Sequence, residues 1–257
     1  MKSSAYTISL VFYPFSGNNI KEITSVKNAL ESFGNKVSTV KANRDLISIL
    51  KTNAPDIVFN LAHKNAKYNH TTAVSAISEL LELNVIGPNV FASSVCNSKK
   101  DLFQILKFDG IPIVDRSRAS KSSNLIQVFL LGNYSNPLFF FKTPIHLKID
   151  YSTEQKITDL CKKAQRSIHG SDYCQFTFQL DNNTNPILIE LNPYPLLGKD
   201  NTFARLVKIK GINYTNFINI ILLNAFTRYN LPITQSYQDL KDLMEKKTSN
   251  PQKIAKT

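Results

Sequence analysis

Two side chains in the stretch ILIELNPYPLLG, Ile187 to Gly198, could do chemistry together. Glu190 and Asn192 stand two apart in a run of branched apolar residues that reads as a strand, and strand residues i and i+2 share a face. Both carry oxygen. A hard divalent cation such as Mg²⁺ takes a few protein oxygens and completes its octahedron with water and nucleotide phosphates. A strand closing on Glu-x-Asn-Pro is therefore a candidate platform for Mg²⁺ and a nucleotide. The same residues also fit a plain strand exit, since Glu, Asn and the following Pro193 and Pro195 are common where strands end.

The elements that must hold this pair can be read along the chain. TISLVFYP is a strand, and NIKEITSVKNALESFG has Ile20, Ile23, Val26, Leu30 and Phe33 at helical spacing with Gly34 as its stop. KVSTVKA is a second strand and RDLISILKTNAP a short helix ended by Pro55. DIVFNLA is a near-continuous apolar strand, as expected of a parallel strand covered on both faces. TTAVSAISELLELN reads as a helix capped by Thr71 or Thr72. SSVCNSKKDLFQILKFDG reads as one helix ended by Gly110. Alternation with short connections predicts an open parallel sheet with helices on both faces, whose ligands sit at strand carboxyl ends. His63 and His70 lie beside one such end and read either as substrate or phosphate contacts or as solvated loop residues.

Beyond the ASKSSN loop (119–124) the pattern changes. LIQVFLLGNYSNPLFFFKTP predicts two strands around a turn. STEQKITDLCKKAQRSIHG predicts a helix capped by Ser152, and YCQFTFQLDNNTNPILIELNPYP a hairpin with its polar turn over Asp181 to Pro186. RLVKIKGINYTNFINIILLNAF predicts a loop and then a helix from Tyr214. The fold class is thus α/β: a Rossmann-like parallel-sheet domain over 1–115, an α+β domain with an antiparallel sheet over 116–235, and a basic C-terminal tail over 236–257, whose stretch from Met244 reads as a frayed terminus.

Composition narrows the function classes. Lys and Arg number 31 against 19 Asp and Glu, a net charge of +12. Such a chain attracts polyanions, but the charges are dispersed and no aromatic–basic interleaving accompanies them, so nucleic acid is not an expected partner. No window approaches the apolar length of a membrane span, and Ile8 to Phe12 reads as a first strand rather than a signal segment. Cys96, Cys161 and Cys174 are odd in number and widely spaced, which predicts reduced thiols in a cytoplasmic protein and no cysteine metal site.

Two long pieces resemble a known family. Asp56 to Ile113 is a strand ending in Asn, a helix with Glu-Leu-Leu, a Gly turn, Ala-Ser and a Lys before Gly-Ile-Pro. The second piece runs from about Pro144 to Phe226 and contains Glu-Leu-Asn-Pro. In that order they resemble the D-alanine–D-alanine ligase family of the ATP-grasp superfamily. The resemblance implies a pre-ATP-grasp domain followed by an ATP-grasp domain, with ATP and Mg²⁺ as cofactors. It implies joining of a carboxylate, activated as an acyl phosphate, to an amine, so an amino acid or small peptide as substrate, and often a homodimer. By motif, Glu190 and Asn192 would ligate Mg²⁺, Lys99 would contact nucleotide phosphate, Thr202 would hold the substrate carboxylate and Glu22 the first amino group.

The chain departs from that pattern in two places. Where the family has Arg-x-Asp on the first hairpin strand, this chain has Gln175 and Thr177. Between Pro112 and Thr143 it lacks the Gly-rich loop that would close over phosphates, consistent with only 8 Gly in 257 residues. NPLFFFKTP is either a remnant of the family's Val-Lys-Pro strand, with Lys142 as a nucleotide lysine, or a later strand pair with the nucleotide grip gone. Both the reading of a reduced ligase and that of a non-catalytic pseudo-ligase acting as a binding or partner protein stay open at this point.

Overall fold

A computed structural model describes residues 5–14, 17–63, 69–114, 125–133, 135–170 and 172–248. The chain divides into two compact units that are not contiguous in sequence. One comprises 1–62, 77–86 and 196–257; the other comprises 63–76 and 87–195. A single cut at residue 115 therefore does not follow the packing: much of 63–114 belongs with the antiparallel unit, and the last helices belong with the parallel one.

The parallel unit is built on strands β1 (Thr7–Phe12), β2 (Lys36–Lys41), β3 (Ile57–Leu61) and β4 (Asn84–Ile86). Their order is β2-β1-β3-β4, all parallel. Strand β3, central and apolar, is buried at every residue, as its composition requires. Helix α1 (Gly17–Glu31) turns Ile23, Val26 and Leu30 inward, while Ile20 is exposed. Helix α2 (Leu46–Asn53) ends at Ala54, which adopts a left-handed φ of 39° just before Pro55.

Late segments complete this unit. Helices α7 (Thr202–Ile209), α8 (Tyr214–Arg228) and α9 (Gln235–Thr248) all belong to it. RLVKI is thus helical rather than a loop. Helix α8 is apolar around much of its circumference and buries Phe217, Ile221 and Phe226, so it is a core helix. Its buried Asn219 donates to the Ala29 carbonyl at 2.7 Å and accepts from the Tyr237 hydroxyl at 2.6 Å. Tyr237 in turn takes a bond from Asn35. Residues 235–248, the start of the expected basic tail, form a docked helix that runs past Met244: Tyr237 and Leu240, one turn apart, are buried and carry the contact.

The antiparallel unit is built on β5 (Ile126–Leu131), β6 (Leu138–Lys142), β7 (Tyr173–Leu180) and β8 (Pro186–Asn192), in the order β6-β5-β7-β8. One face, with Val128, Leu130, Cys174, Phe176, Phe178 and Leu188, packs into a core with helices α4 (Val90–Asn97), α5 (Lys99–Phe108) and α6 (Tyr151–Ser167). The helix read as continuous up to Gly110 is two helices. Ser98 leaves helical geometry (φ −103°, ψ 103°) and its hydroxyl caps α5 by accepting from the Asp101 N–H. Helix α6 is capped by Asp150, not Ser152: its carboxylate accepts from the Thr153 N–H at 2.7 Å, and this bond holds the carboxyl below its usual range. Helix α3 (His70–Leu80) starts from Asn69, whose side chain accepts from the Thr72 N–H, so neither threonine is the cap.

Candidate functional site

The register of the antiparallel sheet decides which side chains meet. Residues directly opposite on antiparallel strands share a face. Thr177 pairs with Glu190 and Gln175 with Asn192 across β7 and β8. Both pairs point away from the face that carries Phe176 and Leu191 into the core. An irregularity between Thr177 and Phe178 advances β8 by one residue, so that Glu190 comes into line with Thr177 while Leu188 stays opposite Phe178.

The row continues. Thr177 pairs with Gln127 on β5, and Gln127 with Lys142 on β6. Lys142 shares the face but stands on the strand at the far edge of the sheet. Three strand spacings of about 4.8 Å put its backbone about 14 Å from that of Glu190.

Lys99, Glu190 and Asn192 line one cavity of 320 Å³ in the antiparallel unit. Lys99 is the first residue of α5 and is exposed, as are Asn97 and Glu190. Below them lie buried Leu102, Ile189, Leu191 and Pro193. Tyr194 and Cys96 complete the wall. Burial pushes the Tyr194 phenol up to about 12, with the Cys96 thiol a lesser cause, and burial pushes Cys96 to about 12 as well. Both groups are neutral at pH 7, and Cys96 is no thiolate nucleophile. Cys96, Asn97 and Tyr194 are wall residues that sequence reading missed. Cys96 and Asn97 reach the cavity because the helix breaks at Ser98, and the apolar period runs through that break unaltered.

The Asn192 side-chain oxygen accepts from the Tyr194 N–H at 3.0 Å, closing an Asx turn that starts the Pro-rich exit. An amide oxygen has a second lone pair, so the group can still face a cation. Glu190 and Asn192 together offer one charge and two oxygen-bearing groups. Among the described residues no three His, Cys, Asp or Glu side chains gather to hold a metal ion. The pair fits a Mg²⁺ that arrives with phosphate and water oxygens; it does not make a protein cage.

Glu22 and Thr202 belong to the parallel unit. Glu22 is 2% exposed, and its carboxylate accepts from the Leu197 N–H. The Leu197 carbonyl accepts from the Tyr214 hydroxyl at 3.0 Å. Burial, then Glu22 and Asp200, raise the Tyr214 phenol. A Cβ at Gly198 would stand 3.2 Å from the Asn201 side-chain nitrogen and 3.4 Å from the Glu22 Cβ, so the turn runs close against helix α1. Glu22 therefore latches the turn between β8 and α7. Thr202 opens α7 and is half-buried; Asn201 is the cap position, with no side-chain cap bond. His63 is buried rather than solvated, and His70, half-buried at the start of α3, has its imidazole pKa lowered by burial. Lys64 to Tyr68 lie outside the described residues.

Comparison with known proteins gives this geometry a family. Residues 134–223 match the family model for the D-ala D-ala ligase C-terminus. The D-alanine–D-alanine ligase of Moorella thermoacetica is 34% identical over 94 residues, which is 37% of this chain and 30% of that protein. That of Sinorhizobium fredii is 34% identical over 88 residues, 34% of this chain and 28% of that protein. The matched stretch thus spans less than a third of these relatives. In overall fold, the Bacillus anthracis D-alanine–D-alanine ligase complexed with ATP superposes with a TM-score of 0.71 at 13% identity, over 89% of this chain and all of that one. The Coxiella burnetii ligase gives 0.68 at 16% identity, over 93% and 98%. No helix among the described residues is long and apolar enough to cross a membrane.

Proposed function

Because the chain is a D-alanine–D-alanine ligase-like member of the ATP-grasp superfamily, we propose that it binds Mg²⁺ and ATP on the β8 side and has lost most of its power to join a carboxylate to an amine. The observation that carries this reading is the pairing of neutral Thr177 with Glu190 and of neutral Gln175 with Asn192. Glu190 and Asn192 would hold one Mg²⁺ together with phosphate oxygens, and Lys99 would neutralise phosphate from the rim of the same cavity. The bound metal would draw charge from the phosphoryl group during transfer. A second Mg²⁺ needs a second anionic ligand, and the Thr177 hydroxyl carries no charge. Gln175 likewise brings no cation to the transferring group. Each such lost stabiliser costs about 10²–10³ in turnover.

Thr202, at the start of α7, is the proposed carboxylate contact of an amino acid or small-peptide substrate. Glu22 positions the turn before it through Leu197. Self-association as a homodimer is part of the reading and is checked by light scattering. Lys142, at the other end of the row, supports the phosphate only if the nucleotide extends across the sheet.

The test is a thermal melt with ATP or a non-hydrolysable analogue, with and without Mg²⁺, followed by phosphate release over a panel of amino acids. A ligand at a hundredfold excess over its Kd stabilises the folded chain by about 2.7 kcal/mol. The expected result is a Mg²⁺-dependent shift that the Glu190→Ala, Asn192→Ala double variant abolishes, with phosphate release slow for every amino acid. No shift at millimolar nucleotide defeats the reading and leaves a pseudo-ligase that serves as a binding or partner protein. Rapid phosphate release with one amino acid defeats the claim of lost catalysis.

A further inference from the structure

Strand β2 ends the parallel sheet, and only β1 pairs with it. The Lys36 and Ala42 N–H groups donate to the Tyr6 and Phe12 carbonyls on the β1 side. Backbone groups alternate in direction along a strand, so those of Val37 and Thr39 point away from β1. Among the described residues these outward N–H and C=O groups have no hydrogen-bond partner. Lys36, Ser38, Thr39 and Lys41 are exposed. We propose that this edge takes an extended acidic segment of a partner protein as an added strand, with carboxylates on Lys36 and Lys41.

The two lysines choose the partner. Neither forms an ion pair with a described residue. From Lys36 to Lys51 the sequence has four cations, Lys36, Lys41, Arg44 and Lys51, against one carboxylate, Asp45. A second copy of the strand, laid antiparallel, sets Lys36 opposite Lys41 at both ends, and like charges directly opposite are destabilising. The chain's own ends fail for the same reason: 1–4 and 249–257 carry lysines and no acidic side chain. Lysines on an edge deter neutral and basic strands, and they attract an acidic one. Lys36 and Lys41 point to opposite faces. Carboxylates at the two ends of a six-residue added strand meet both of them, whichever way that strand runs. On the Lys36 face the edge borders a hollow of 290 Å³ whose lining includes Thr7, Ser9, Ser38 and Asn53 and no carboxylate. Its hydroxyl and amide donors suit the acidic side chain beside Lys36, and side-chain pockets of this kind give strand addition its specificity. The adjacent Asp56 carboxylate accepts from the Thr7 N–H and hydroxyl at 2.7 and 2.9 Å.

The edge belongs to the parallel unit, and its partner does not depend on nucleotide binding. The test is isothermal titration at pH 7 with the end-blocked peptide Glu-Val-Thr-Thr-Val-Glu. The controls are the same peptide with Lys at both ends, the same peptide N-methylated throughout, and a short single-stranded DNA. The acidic peptide is expected to bind about tenfold tighter than the basic one, as two exposed ion pairs allow, and to weaken as salt rises. N-methylation should abolish its binding. The double change Lys36→Glu, Lys41→Glu should reverse the order of the two peptides, with the circular dichroism unchanged. Thr39→Pro removes an outward donor and leaves the β1 ladder intact, so it should weaken binding as well. No heat at millimolar acidic peptide overturns the proposal. Equal binding of the N-methylated peptide or of the DNA also overturns it, and makes the patch a general site for polyanions. A dimer in light scattering that Thr39→Pro dissociates gives the edge to a second copy and overturns it too. A nucleotide melt without a shift removes the ATP reading alone; peptide titrations without heat remove this one alone.

Discussion

Strands β7 and β8 share one hairpin and one register, yet they carry different chemistry on the same face. On β8, Glu190 and Asn192 keep a charge and two oxygen-bearing groups at the mouth of a cavity. On β7, the residues directly across are the neutral Thr177 and Gln175. The other face does not differ in this way. Cys174, Phe176 and Phe178 from β7 and Leu188 and Leu191 from β8 enter a single core with α4, α5 and α6. Because side chains alternate between faces, the core face fixes the pairing while the opposite face can change without moving the backbone. A strand can thus change the chemistry of one face and keep its place.

That contrast is sharpened most by restoring β7. The double change Gln175→Arg, Thr177→Asp should raise Mg²⁺-dependent phosphate release by about 10²–10³ if the lost charges are the reason for slow turnover. Phosphate release that stays flat, with the variant folded, breaks the comparison, because the deficit then lies elsewhere. A smaller effect concerns the turn that follows β8. Glu22→Ala leaves the buried Leu197 N–H unpaired and should cost about 1–3 kcal/mol in a denaturant melt. Glu22→Gln retains an acceptor oxygen and should cost less. Equal losses from the two variants would mean that the negative charge, not the latch, is what matters.

Tyr194 gives a pH test of the β8 exit. Its phenol ionises near 10 in the unfolded chain and is pushed up to about 12 in the folded one. Between those values the folded state holds a proton that the unfolded state has released, so stability falls as pH rises from about 10 to 12. Below pH 10 the group contributes no slope. Tyr194→Phe should flatten part of that alkaline decline in a series of melts; an unchanged decline assigns it to Tyr6, Tyr214 and Tyr237, whose phenols are also raised. The smallest effect is expected at the far edge of the row. Lys142→Ala on exposed β6 should change stability by no more than about 0.5 kcal/mol and leave any nucleotide response intact. Lys99→Ala should weaken that response. The reverse order would move the phosphate site to β6.

Much of the fold was legible because period and composition agree where burial is strong. Strand β3 is apolar except for Asn60 and buried throughout. The hairpin β7–β8 announces its turn with Asp181, whose carboxylate accepts from the Asn183 and Asn185 N–H groups. The candidate site was legible only in part. Glu190 and Asn192 declare themselves by spacing, and Lys99 by the order of motifs around it. The break at Ser98 is hidden, since a serine fits helix and cap equally and only φ and ψ tell them apart. Helix α9 is hidden in another way: lysines set the tone of the segment, while two buried residues, Tyr237 and Leu240, do the docking. The Glu22 latch joins residues 175 positions apart, and no local pattern reports such a contact.

The parallel unit is assembled from three separated stretches of chain, and this bears on how the protein is made. Strands β1 to β4 leave the ribosome early, but α8 and α9, which close over them, follow only after residues 87–195 have been translated. At about 5–20 residues per second that interval is on the order of 10 s. During it, the surfaces that Phe226 and Tyr237 will cover stand open, while the intervening antiparallel unit can already collapse. The parallel unit can therefore finish packing only after the antiparallel one has been translated, and until then β1 to β4 lack the cover of α8 and α9.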